Sequence, residues 1–334
     1  MVLNAAATQT PIEAQPEIEL SVVIPVYNEE DNIAPMIDRV LFGLKDFTAP
    51  WELILVDDGS TDGTLANARK ALGRDGLTLR IVELQRNFGQ ASALQAGIDA
   101  SRGRLIATLD GDLQNDPVDI PMMIDMLEAR DLDLLSGWRK SRQDGLVLRK
   151  IPSWCANYLI GKITGVKIHD YGCSLKIYRS KIVKQVRIIG GMHRFIPAWV
   201  ASVAPHSRIG EVVVNHHARQ FGQSKYGISR TFRVILDLLA VLFFMRFRAR
   251  PGHFFGSIGL AFGGLSFLIF AYLAFVKFAL GEDIGTRPLL LVAVMLFMGS
   301  VQAITTGILA EFMARSNTGT QHYAVREIFG ADKA

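Results

Sequence analysis

The sequence predicts an α/β fold: a mostly parallel sheet with helices on both faces, followed by amphipathic interfacial helices and a two-helix transmembrane hairpin. Three observations predict it. Short apolar runs rich in β-branched residues alternate with helical stretches from residue 20 to residue 136, the pattern of repeated βαβ units. Residues 254–276 and 289–310 contain no charged side chain, and each run exceeds the ~20 apolar residues that cross a bilayer core. Between these regions, residues 150–165 and 226–247 place apolar side chains at helical spacing beside basic ones, a composition suited to the headgroup plane.

Taken in order, residues 1–19 lack a basic segment followed by an apolar one, so they read as a disordered leader and not a signal peptide. Residues 20–26 are a first strand. Residues 31–47 form an amphipathic helix with Ile33, Met36, Ile37, Val40, Leu41 and Leu44 on one face. A second strand, 51–56, ends in an Asp- and Gly-rich turn in which Thr61 or Asp62 caps the next helix. A third strand at 77–84 precedes an Ala-rich helix at 89–101. The strand 104–109 leads into an acidic cluster, a helix begins at Pro117, and residues 132–136 form a further strand. Residues 172–178 and 209–215 read as strands that extend the sheet.

Two uncharged runs this long, side by side, argue against buried core helices. The connector 280–288 is too short for a domain, so the pair is a hairpin with both ends on one side. Arg246, Arg248, Arg250 and Arg315 flank those ends, against Lys277 and Arg287 near the connector, which predicts that the large N-terminal portion and both termini face the cytoplasm. Glycines and serines at 259, 263, 264, 299 and 300 permit close helix contact and predict a homo-oligomer, with the tail at 317–334 pairing with a neighbour. The net charge of +4 fits a membrane surface better than nucleic acid, given the spans. Cys155 and Cys173 are too few for a disulfide framework and stand in no metal-ligand spacing, consistent with a reducing compartment. His216 and His217 lack companion ligands and read as strand-end residues.

Asp110-Gly111-Asp112-Leu113-Gln114 is the most informative segment, because it follows a buried strand directly, at the end where open α/β sheets bind ligands. In extended backbone Asp110, Asp112 and Gln114 would point to one side and offer hard oxygens to a divalent cation. A solvated acidic turn would use the same residues, and spacing alone does not choose between the two.

Several segments together resemble the family 2 glycosyltransferases of GT-A fold, within them the polyisoprenyl-phosphate glycosyltransferases such as dolichol-phosphate mannose synthases and bacterial undecaprenyl-phosphate glucosyltransferases. They are Val23-Ile24-Pro25-Val26-Tyr27-Asn28-Glu29-Glu30, Val56-Asp57-Asp58-Gly59-Ser60-Thr61-Asp62, Arg86-Asn87-Phe88-Gly89, the acidic pentad, and Arg219-Gln220-Phe221-Gly222-Gln223-Ser224-Lys225-Tyr226, in family order. The resemblance implies a GT-A catalytic domain over 20–225, a juxtamembrane helix at 226–250, two spans within 251–313 and a cytoplasmic tail at 314–334. It implies that Pro25, Tyr27 and Glu29 line the nucleobase pocket and that Asp58 engages the nucleoside. Asp110, Asp112 and Gln114 would hold Mg²⁺ or Mn²⁺ and the donor diphosphate, with Gly111 allowing close approach. Arg139 and Arg219 would contact the donor phosphates, joined by Lys225.

Asp170 falls where the family often has an acidic residue near the reacting centre, as a base, a sugar-hydroxyl ligand or a turn residue. Arg149 and Lys150 stand just ahead of an amphipathic helix, where they would meet a lipid phosphate or anionic headgroups. The implied reaction is inverting, metal-dependent transfer of one hexose, glucose from UDP-glucose as first expectation, to undecaprenyl or a similar polyisoprenyl phosphate at the bacterial inner membrane. Mannose from a GDP donor and an aminoarabinose-type sugar are the alternatives, and relatives set a tetramer as the expected assembly. A processive synthase would carry a Gln-x-x-Arg-Trp motif and further spans, neither found here, and the intact pentad argues against an inactive scaffold.

Overall fold

Strand β1 (Leu20–Val26) is almost wholly buried and pairs in parallel with β2 (Trp51–Asp57) on one side and β4 (Leu105–Thr108) on the other. These positions come from a computed structural model that describes residues 18–140, 161, 165–188, 195–217, 251–316 and 325–330. Pro25, which cannot donate to a ladder, lies beyond the last β4 partner, Thr108 opposite Val23, so its missing N–H costs no bond on that side. Strand β3 (Leu79–Leu84) adds in parallel to β2. Helix α1 (Ile33–Gly43) buries Ile33, Met36, Ile37 and Val40, the one-face set its spacing predicts. Each such side chain, fully buried, contributes about 1.5–3 kcal/mol.

Helix α2 (Thr64–Lys70) follows an Asx-type turn in which the Asp62 carboxylate accepts from the Thr64 amide at 3.0 Å. Helix α3 (Gln90–Ala100) owes its small residues to packing. A Cβ at Gly97 would lie 2.3 Å from Val23 Cγ1 and 2.9 Å from Val56 Cγ2, so the helix rests directly on β1 and β2.

Beyond β4 the sheet departs from simple alternation. Helix α4 (Asp119–Ala129) leads to β5 (Leu134–Trp138), and β6 (Lys176–Arg179) inserts antiparallel between β4 and β5. The run at 172–178, expected to extend the sheet, is strand only from Lys176 and lies between β4 and β5. Short helices α5 (Ser180–Val183) and α6 (Ile196–Val200) precede β7 (Ile209–Val213), which pairs in parallel with β5 at one edge. At the other edge the tail supplies β8 (Val325–Phe329), antiparallel to β3. The tail, expected to pair with a neighbouring copy, instead completes its own chain's sheet. Among the described residues the order is β7-β5-β6-β4-β1-β2-β3-β8. The C-terminal ends of β1, β2, β4, β5 and β7 and the start of antiparallel β6 share one rim of this sheet.

A second compact unit contains helices α7 (Pro251–Ala279) and α8 (Pro288–Ser316). Their most apolar windows have mean hydropathy 2.1 and 2.0, yet only 17% and 11% of those windows is buried, the reverse of a soluble core helix. Phe267, Leu268 and Phe278 point outward, a surface that belongs in lipid. A Cβ at Gly259 would meet Ile304 Cγ1 at 2.6 Å and one at Gly263 would meet Ser300 Oγ at 2.8 Å; Ser300 Oγ donates to the Gly259 carbonyl at 2.7 Å. Most of the small residues expected to mediate association between copies thus pack the hairpin itself. Gly264 is the exception, with open space where its Cβ would be.

Candidate active site

The acidic pentad is a turn, not extended chain. Leu113 has φ +59°, a left-handed conformation that costs a non-glycine residue about 1–2 kcal/mol. The one-sided alternation that extended backbone would give Asp110, Asp112 and Gln114 therefore does not hold, and the turn that spacing left open is what forms. Its geometry is fixed from outside. The His217 amide donates to the Gln114 carbonyl at 2.8 Å, Asn115 bridges His216, and Asn115 Nδ2 donates to Ser174 Oγ at 2.6 Å. Asp116, buried, accepts from Arg39 Nε and Nη2 at 3.0 and 2.6 Å and pairs with His217 Nε2 at 2.9 Å. A Cβ at Gly111 would stand 2.9 Å from Val26 Cγ1, so its close approach is to β1.

Asp110 accepts from Gln90 Nε2 at 2.7 Å, and Asp112 accepts from the Gln114 amide at 3.2 Å. Withdrawal from water and the neighbouring Asp112 push the Asp110 carboxyl above its ordinary range, opposed by Ser174, Lys176 and Arg139. A carboxylate whose charge is disfavoured by a neighbouring carboxylate fits a divalent cation. Among the described residues no group of three or more His, Cys, Asp or Glu is placed to hold a metal. Asp110 and Asp112 are a donor set of the kind that suits an ion held by one or two carboxylates and completed by substrate phosphates.

On the opposite flank the ends of β1 and β2 are knitted together. Asn28, at φ +53°, accepts from the Thr61 amide at 2.9 Å, and the Asn28 amide donates to Ser60 Oγ at 3.0 Å. The Glu29 amide donates to Thr64 Oγ1 at 2.8 Å, while the Glu29 carboxylate accepts from Asn32 Nδ2. Asp58 is buried and receives the amides of Phe88 and Gly89 at 2.8 and 3.0 Å, so it ties the β2 end to residues 86–89. Burial raises its carboxyl above the usual range against the pull of those two bonds. Gly59, at φ +69°, leaves no room for a side chain: a Cβ would lie 2.4 Å from the Arg86 carbonyl carbon. Pro25 and Tyr27, half-buried, stand on the same rim.

The third component is cationic. Arg139, first residue after β5, donates from Nε and Nη2 to Asp170 at 2.7 and 3.0 Å, and the two side chains are only 11% and 14% exposed. Burial would raise the Asp170 carboxyl, but the bond and charge of Arg139 hold it below the ordinary range. A carboxylate so held is a weak base and a firm anchor. Lys176 was not foreseen: fully buried at the start of β6, it donates to the Cys173 carbonyl and lies within electrostatic reach of Asp110, Asp170 and Arg139. Its signal was a cation standing between apolar residues, Leu175 and Ile177. Gln90, Ser174 and the Asn115–His217 clasp were also missed, because none belongs to a local motif. Arg149, Lys150, Arg219, Lys225 and both amphipathic helices lie outside the described residues.

A family model for glycosyl transferase family 2 matches residues 21–187. A dodecaprenyl-phosphate galacturonate synthase of Rhizobium johnstonii is 66% identical over 96% of this chain and 95% of its own length. The chain belongs to glycosyl transferase family 2. This glycosyltransferase is also 34% identical to an undecaprenyl-phosphate 4-deoxy-4-formamido-L-arabinose transferase of Pseudomonas fluorescens, over 89% of this chain and 84% of that one. Its place is among the polyprenyl-phosphate sugar transferases. In fold, the glycosyltransferase is similar to glucosyl-3-phosphoglycerate synthase of Mycobacterium tuberculosis, solved with Mn²⁺, UDP-glucose and phosphoglyceric acid. The TM-score is 0.53 at 18% identity, over 67% of this chain and 80% of that one. That likeness is one of fold, and it makes the sheet GT-A-like.

Proposed function

We propose that this glycosyltransferase moves a galacturonosyl unit from a nucleoside-diphosphate donor, UDP in the first instance, to a polyprenyl phosphate at the cytoplasmic membrane face. The observation that carries the reading is the 66% identity, across nearly the full length of both chains, to a dodecaprenyl-phosphate galacturonate synthase. Glucose, the expectation from the sequence, finds no support among these relatives. A deoxy-formamido-arabinose donor is the second reading, favoured by the relative at 34% identity.

The site chemistry is consistent with inversion. An oxygen of the lipid phosphate, already ionised at neutral pH, attacks the anomeric carbon; the bond to the diphosphate oxygen breaks and its electron pair leaves with the nucleoside diphosphate. No strong base is required, which agrees with Asp170 being committed to Arg139. Asp110 and Asp112, with Gln114 in the same turn, would hold Mg²⁺ or Mn²⁺, which when bound neutralises charge growing on the leaving group. The Asp58 clasp on residues 86–89 would wall the nucleoside, with Pro25, Tyr27 and Glu29 beside it. The short connector at 280–288 supports a hairpin whose two ends open to one side. The arginines at 246, 248, 250 and 315 support that side being cytoplasmic. Self-association would draw on the outward apolar faces of α7 and α8.

The test is product formation in membranes containing the protein. Dodecaprenyl or undecaprenyl phosphate is supplied with UDP-galacturonate, UDP-glucose, GDP-mannose or a UDP-linked formamido-arabinose, and lipid products are read by mass spectrometry. Lipid-linked uronic acid is expected. Its absence with transfer from another donor would refute the sugar assignment, and no transfer from any donor would refute the acceptor class.

A further inference from the structure

The β8 strand, which follows the membrane hairpin in sequence, contacts the nucleotide flank of the site through a short relay. β8 lies antiparallel on β3, with Val82 opposite Ile328 and Glu83 opposite Glu327, and the ladder shifts register between Glu83 and Leu84, where β3 runs into residues 85–89. Arg326 spans that point. Its Nη1 donates to Glu83 Oε1 at 2.9 Å and its Nη2 to the Gln85 carbonyl at 3.1 Å. The other Glu83 oxygen accepts from Arg69 Nη2 at 3.2 Å, and the Arg69 guanidinium sits 3.9 Å above the Phe329 ring. Glu83 is 5% exposed and faces Asp57 across the β2–β3 register; Asp57 and Asp58 are 2% and 3% exposed. Three buried carboxylates thus share this corner, and one of the cations balancing them arrives with the tail. Gln85 is the last residue before the 86–89 segment, whose amides are gripped by Asp58 and whose Arg86 backbone abuts Gly59.

We propose that β8 is a positioning element of the donor site: Arg326, by fixing Glu83 and Gln85, holds residues 86–89 against Asp58 in the arrangement that receives the nucleoside diphosphate. This rests on the donor reading given above, in which the Asp58 corner faces the nucleoside. Two physical reasons carry it. An antiparallel edge pairing immobilises β3 up to the residue where the loop departs. A charge-assisted bond to the Gln85 carbonyl fixes the departure itself, and small displacements of a binding wall reduce affinity without touching the reacting atoms.

The experiment compares the full-length protein with Arg326→Met, Arg326→Lys and a variant lacking residues 325–334. Binding of UDP and of GDP in the presence of Mn²⁺ is titrated, donor and acceptor KM and kcat are measured, and hydrogen exchange is followed at the β3 amides. Arg326→Met and the truncation are expected to weaken nucleotide binding and raise donor KM about threefold, the scale of a pair whose arginine is 59% exposed. Acceptor KM and kcat at saturating donor should stay within about twofold, because only uniform donor binding is removed. Arg326→Lys should fall between, keeping the Glu83 pair and losing the second arm. If β3 exchange accelerates while nucleotide affinity and donor KM stay at the full-length values, β8 is structural only and the proposal is overturned. Equal affinity in Arg326→Met and the parent overturns it as well. A parent protein that binds neither nucleotide refutes the donor reading instead, a distinct result.

Discussion

Asp170→Asn separates two roles for the carboxylate nearest Arg139. In the structure Asp170 accepts both arms of the guanidinium and also the Gly172 amide at 3.1 Å, in surroundings that leave Arg139 11% and Asp170 14% exposed. Asparagine keeps the shape but has one acceptor oxygen, so its amide group must face one of the guanidinium N–H groups as donor against donor. One charge-assisted bond is lost, worth about 1.5–3 kcal/mol, and the guanidinium is left with part of its buried charge uncompensated. A total near 3 kcal/mol applied to the position of Arg139 corresponds to a rate loss of roughly 10²-fold. The magnitude alone does not decide, because removal of a general base costs about 10²–10⁴. The double-variant cycle does. If Asp170 acts by holding Arg139, then Arg139→Met and Arg139→Met/Asp170→Asn should be equally slow, and the pH dependence of kcat should keep its acidic limb in Asp170→Asn. Multiplicative losses, together with disappearance of that limb, would show that Asp170 takes a proton and refute the anchoring argument. The variants are assayed with saturating donor and lipid phosphate, with melting temperature recorded alongside.

Asp112→Asn should reduce transfer at least 100-fold and abolish Mn²⁺ binding in the presence of UDP, followed by the electron paramagnetic signal of free Mn²⁺; an unchanged signal would remove Asp112 from the metal set. Leu113→Val should weaken Mn²⁺–UDP binding more than Leu113→Gly, since a β-branched residue resists φ +59° and glycine accepts it. Gly97→Ala should destabilise the sheet domain by about 1–3 kcal/mol in thermal unfolding, because its methyl would strike Val23. Burial alone would raise the Asp116 carboxyl, but hydrogen bonds from Arg39 and His217 hold it below the unfolded value near 3.9. The stabilisation is therefore complete above about pH 4 and lost as pH falls through the folded value, so denaturation curves for Asp116→Asn should show a shallower acid decline.

How much was legible follows from the range of the interaction concerned. Apolar periodicity located β1, α1, β2, β4 and both membrane helices, because each is decided by burial of its own side chains. The motifs ending β1, β2 and β4 were visible because parallel strands deliver adjacent loops to one rim. A turn at the pentad was one of the readings its composition allowed, but its left-handed Leu113 was not, since the turn is held by Asn115, Ser174 and His217, the last far away in sequence. Strand β6 was placed as an extension because its insertion between β4 and β5 depends on the chain doubling back, which no local pattern records. Strand β8 escaped for the same reason: five residues beyond a membrane hairpin gain their structure only from the open edge of β3.

The charge arrangement bears on how two anionic substrates can meet. Among the described residues, Asp110 and Asp170 lie within electrostatic reach of Arg139 and Lys176. Arg139 is bound by Asp170, and Lys176 is sealed beneath the surface, so neither is a loose cation able to follow a phosphate. They offset the charge of Asp110 and Asp170, and in the proposed reading this leaves the turn's carboxylates available to a divalent ion. In the proposed reading, drawing the lipid phosphate to the donor is left to other cations. Arg149 and Lys150 are the sequence's candidates for that role, and Arg219 and Lys225 for the donor phosphates. The division is physically reasonable: cations that organise the site must be rigid and buried to act without reorganisation, whereas cations that recruit an acceptor from a bilayer must be solvated until it arrives.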